Sequence, residues 1–131
     1  MESLSSANIT RVVETLKQIK QAIMQLQEWN SSKLCADEFL RSPSGMKDLA
    51  ASSMLIIAVG EGFKNIDKIT ESRLLPLRPE YPWKEVKGIR DKIAHGYFDI
   101  DHNVIFEASK YDLPDLIPAI DFFIEHLNGC L

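Results

Sequence analysis

Ile9, Val12, Leu16, Ile19, Ile23 and Leu26 fall alternately three and four residues apart. A stripe that regular is the seam of an amphipathic helix, and it demands a second helix lying nearly parallel or antiparallel to it. The spacing predicts a helix over 8–28, with Asn8 as its N-cap. A chain that opens in this way is committed to helix-on-helix packing.

The remaining segments agree. "NSSK" interrupts the pattern, a short helix runs to about Arg41, and Ser42-Pro43-Ser44-Gly45 is a loop whose Ser44 or Gly45 opens a third helix. That helix, about Met46 to Lys68, carries Ala50, Ala51, Ser52, Ser53, Ala58, Gly60 and Gly62. Small side chains permit close approach, and Leu49, Ile56, Val59 and Phe63 supply an apolar face, so this helix is expected at the centre. Glu61, between two glycines, reads as the edge of the core. Residues 74–83, "LLPLRPEYPW", hold three prolines and cannot be helical throughout. Pro82 suits a first helical position, and a helix from Pro82 to about His95 buries Trp83, Val86, Ile89 and Ile93 until Gly96 ends it. A turn at "DIDHN", a short helix over Val104–Lys110 and a last helix opened by Asp112 and Pro114 complete the chain. The expected architecture is all-α, a bundle of four or five helices in a single domain, 1–131.

Composition narrows the function. At 45% hydrophobic and 26% charged, the chain can bury an ordinary core. Its net charge of -4 does not advertise nucleic-acid binding. Yet from Arg73 to Lys92 six basic residues stand against three acidic ones, a local +3 that leaves -7 for the remainder. Two distant cysteines, Cys35 and Cys130, offer neither a disulfide framework nor a zinc motif. No signal peptide is visible, and the longest apolar run, Met54 to Val59, is too short to span a bilayer, so a cytoplasmic protein is expected.

The chemistry concentrates in "IRDKIAHGYFDID", residues 89–101. Lys84, Lys87, Asp91 and His95 are spaced three, four and four, one polar stripe on a continuous helix. Asp91 would then hold the His95 ring in one tautomer and favour its protonated form, as would the helix C-terminus. Arg90 lies roughly 140° around an ideal helix from His95, within reach of a shared ligand. A permanent guanidinium beside a tunable imidazole suits phosphodiester cleavage. Arginine neutralises the non-bridging oxygens, and histidine moves the proton of a 2'-hydroxyl or of the leaving oxygen. No metal cluster or cofactor motif is apparent: His102 and His126 are scattered, and Asp99 and Asp101 shape a turn. On the residues alone a second reading stands beside this one. In it His95 caps a helix end, Arg90 is a surface charge, and Tyr97 packs at the helix exit.

Residues 82–105, "PWKEVKGIRDKIAHGYFDIDHNVI", resemble the HEPN superfamily and its HepT-like branch. The branch has a Pro-Trp-like helix entrance followed by R-x4-H-x-Y, here Arg90, His95 and Tyr97, with the polar position after the arginine filled by Asp91. The similarity extends to "VGE" at 59–61 and to "DLPDLIPAI" near the end. The resemblance implies a helical bundle that forms a homodimer and brings two R-x4-H helices into one cleft. It implies a metal-independent RNA endonuclease, with Arg90, His95 and Asp91 at the catalytic site, acting as the toxin of a toxin–antitoxin pair. It also implies an antitoxin partner, a minimal nucleotidyltransferase of the MntA kind that transfers AMP to Tyr97. Many relatives carry Asn where this chain has Asp91. The extra charge would either lower activity or raise the basicity of His95. A non-catalytic HEPN module that binds a nucleotidyltransferase or a nucleotide is the alternative, favoured by the acidic net charge.

Overall fold

The computed structural model describes residues 4–93 and 99–131. Helix α1 spans Ser6–Asn30, and its N-cap is Ser5, whose Oγ accepts the Asn8 N–H at 3.1 Å. The expected cap at Asn8 is thus corrected: Asn8 lies inside the first turn. Leu4, just before the cap, and Ile9, four positions after it, both join the core, the arrangement of a hydrophobic staple. All six seam residues are buried, against α2 (Pro43–Thr70) and α6 (Ile117–Asn128).

Between α1 and α2 the chain makes a 3-10 turn, Ala36–Leu40, which buries Ala36 and Phe39. The segment 42–45 is helix rather than loop from Pro43 onward. Ser42 is the cap, accepting the Gly45 N–H at 2.9 Å, and Pro43 takes the first helical position, where its missing donor costs nothing. Gly45 is required by contact: a Cβ there would lie 2.5 Å from the Glu38 carbonyl oxygen. Helix α2 is central, touching α1, the 3-10 turn and the helical pieces that follow. By length and composition it is the one helix among the described residues long and apolar enough to cross a membrane. Only 44% of its most apolar stretch is buried. It ends without glycine, through Glu71 (φ 53°) and Ser72 (φ 59°) in the left-handed region.

After the proline-rich stretch, which holds a 3-10 turn at Leu75–Leu77, comes α3 (Trp83–Lys87), then α4 (Ile89–Ile93). The helix expected from Pro82 to about His95 is therefore interrupted at Gly88, with Pro82 as the cap residue, and residues 94 and 95 lie outside the described residues. Trp83, Val86, Ile89 and Ile93 are buried as expected. The Gly96 stop lies outside the described residues. Helix α5, His102–Glu107, starts earlier than Val104 because Asp101 caps it, accepting the N–H groups of Asn103 and Val104. A π turn at Ala108–Asp112 and a 3-10 turn at Pro114–Leu116 lead into α6. Helices dominate and no strand occurs among the described residues, in agreement with an all-α bundle.

Candidate active site

Trp83 fixes the entrance to the motif segment. Its indole N–H donates to the Arg78 carbonyl at 2.8 Å, and its ring packs between Phe63 of α2 and Phe123 of α6, at 5.2 and 5.7 Å between centroids. Arg78 in turn lies 3.6 Å above the Phe122 ring. The indole is thus buried by three elements while its one donor stays satisfied.

The α3–α4 junction is seated on α2. A Cβ at Gly60 would stand 3.0 Å from the Val86 carbonyl oxygen and 3.1 Å from Ile89 Cγ2, so glycine is what lets the backbones meet. Lys87, the last residue of α3, pairs with Asp67 of α2. The other Asp67 oxygen is buried and has no partner among the described residues. Lys87 is therefore committed to an internal ion pair. Of the polar stripe Lys84–Lys87–Asp91–His95, the first three residues flank an interruption at Gly88 and Lys87 is taken by Asp67, while His95 lies outside the described residues.

Arg90 and Asp91 are exposed, the second and third residues of α4. The Asp91 N–H donates to the Gly88 carbonyl at 3.2 Å. The Asp101 N–H donates to the Ile93 carbonyl at 2.9 Å, so α4 is tied at Ile93 to the cap of α5. His95 and Tyr97 lie outside the described residues. Among the described residues no group of three or more His, Cys, Asp or Glu side chains is placed to hold a metal ion. His102 meets Asp37 at 3.2 Å and His126 stacks on Phe122, which keeps both remaining histidines in local structural roles. Glu61 is exposed beside Lys64.

Two features beside the motif escaped sequence reasoning. One is a cavity of about 410 Å³ on the Ile89–Lys92 side of α4, floored by Val86, Ile89, Leu113 and Leu116 and edged by Glu85, Lys92, Asp112 and Asp115. Burial, and then Asp115, push the Asp112 carboxyl above its ordinary range, while Lys92 pulls it back. The other is an open groove lined by Lys64, Asp67, Lys84, Lys87 and Gly88. The glycine inside "VKGIR" was the available signal for the break that shapes this groove.

Residues 19–122 match the family model described as Ribonuclease HepT-like. A probable ribonuclease HepT of Thermococcus cleftensis is 33% identical over 77% of this chain and 84% of its own length. A putative RNase of Methanocaldococcus jannaschii is 32% identical over 54% of this chain and 55% of its own. A two-part protein of the same organism, a gamma-glutamylcyclotransferase and putative RNase, is 29% identical over 86% of this chain but only 47% of itself. No solved structure matches. With the family model spanning most of its length and the Arg90–Tyr97 signature within the match, the chain belongs to the HepT-like ribonuclease family.

Proposed function

We propose that this protein is a metal-independent RNA endonuclease whose working groups are Arg90 and His95, assisted by Asp91. Family membership supports the reading, together with an exposed Arg90 on α4, which is seated on α2 through Gly60 and tied at Ile93 to the α5 cap. In the reaction the RNA 2'-oxygen attacks the adjacent phosphorus and the bond to the 5'-oxygen breaks. Histidine takes the proton from the attacking hydroxyl, and a proton is returned to the leaving oxygen. Arg90 neutralises the charge that builds on the non-bridging oxygens. Asp91 holds the imidazole. A two-fold homodimer supplies two such sets in one cleft, one histidine as base and the other as acid.

The expected result is cleavage that survives EDTA and leaves a 2',3'-cyclic phosphate. Arg90→Ala and His95→Ala should each slow it by about 10²-fold or more. Activity lost on chelation and restored by Mg²⁺ would overturn the mechanism. The same reading makes the protein a cytoplasmic toxin, silenced by a minimal nucleotidyltransferase that adds AMP to Tyr97. An AMP phosphate there would occupy Arg90 and its nucleoside would obstruct RNA entry. Intact mass after co-expression with such a partner should show added AMP on the wild type and none on Tyr97→Phe; equal masses would remove the switch.

A further inference from the structure

The groove beside the motif carries an inference of its own. It is open, about 460 Å³, and runs between Lys64 and Asp67 of α2 and Lys84, Lys87 and Gly88 of the α3–α4 junction. Lys87 is held by Asp67, which positions it and leaves the outer lysines to face a ligand. Lys84 is exposed, and Lys64 is half exposed, touching only the equally exposed Glu61 at 3.4 Å. An ion pair in that setting contributes little and yields readily to a stronger anion. Gly88 lines the groove without a side chain of its own.

We propose that this groove holds the sugar–phosphate backbone of single-stranded RNA next to the scissile bond, with Lys64 and Lys84 as its phosphate contacts. The inference rests on the ribonuclease reading and extends it to substrate binding. Lysine ammonium groups bind phosphate as point charges, without base readout. An open trough fits a chain lying across it better than it fits an enclosed small molecule. Its position suits that ligand: Lys87 lines the groove three residues before Arg90, about one helical turn, so a strand with its reacting phosphate at Arg90 has Lys84 and Lys64 as the next cations along the groove. The chain as a whole is acidic, net -4, so a phosphate backbone needs a local basic surface such as this one.

The test uses the full-length protein carrying His95→Ala, so that binding is read without cleavage, and a labelled single-stranded RNA. The groove pair Lys64→Glu with Lys84→Glu is compared with Lys17→Glu plus Lys47→Glu, which makes the same charge change at exposed positions elsewhere. The groove pair should raise Kd about tenfold or more over the control pair. It should also flatten the salt dependence of log K by about 1.4, two phosphates at ~0.7 each. Arginine at both positions should restore binding. Equal RNA affinity of groove and control pairs, while the unsubstituted protein binds and cleaves RNA, would overturn the groove alone. If the groove pair keeps RNA affinity but loses a nucleotidyltransferase partner, the groove is a protein-docking surface and the proposal fails. An unsubstituted protein that neither binds nor cleaves RNA would overturn the ribonuclease reading and the groove with it.

Discussion

Asp112 stands where burial, and then the charge of Asp115, oppose its ionisation, with Lys92 offsetting part of the cost. The folded protein therefore binds this proton more tightly than the unfolded chain. Stability should fall as pH rises from the unfolded carboxylate range, about 3.9, through the raised folded value, and stay lowered above it. Asp112→Asn should raise Tm at about pH 7 and give no gain at about pH 3, where both states are protonated; an equal gain at both would assign the effect to something other than charge. At this scale the sequence was legible wherever a residue acts through its near neighbours. The buried Trp83, Val86, Ile89 and Ile93 are of that kind. The commitment of Lys87 to an ion pair was not legible, because its partner, Asp67, is 20 positions away on another helix. His95 and Tyr97 keep the standing that the motif alone confers.

The helices read well from periodicity, and their ends less well. The seam specified α1, but Ser5 and Asn8 are both good caps, and the one that lets Leu4 join the core prevails. Likewise α2 begins at Pro43, since a proline after a capping serine starts a helix as readily as it ends one. The α3–α4 break depends on tertiary contact. Glycine costs a helix only about 1 kcal/mol, so Gly88 by itself does not dictate a break; seating on Gly60 does the rest. Gly60→Val should therefore wedge α3 and α4 off α2. A loss of about 1–3 kcal/mol in stability is expected, as for an overpacked core, together with a fall in RNA cleavage larger than the unfolded fraction explains. Thermal unfolding and single-turnover cleavage on the same sample separate the two. Wild-type cleavage in a folded Gly60→Val protein would show that the junction does not position Arg90.

Across the whole molecule, the most conspicuous surface is on α2. Met46, Ala50, Met54 and Ala58 follow one another at four-residue steps on its exposed side, with Met54 73% exposed. An apolar stripe on the central helix is a suitable face for the two-fold contact that the proposed shared cleft requires. Sedimentation at micromolar concentration should give about twice the 14.9 kDa chain mass, and Met54→Glu should shift it toward one chain. A wild-type monomer would remove the shared cleft, whereas a Met54→Glu dimer would move the contact to another face. The all-α class was legible because each segment carries a 3.6-residue pattern. Which apolar face stays exposed was not, because an exposed apolar residue and a buried one look alike in sequence.

The pairing of Lys87 with Asp67 also bears on how sequences of this family drift. Losing the lysine leaves a carboxylate, one oxygen of it already bare and buried, with no counter-charge; losing the aspartate strands a half-buried ammonium. Either single change is costly, while a joint replacement by two apolar residues is tolerable. Among relatives that retain the glycine-seated junction, positions 67 and 87 should change together or not at all.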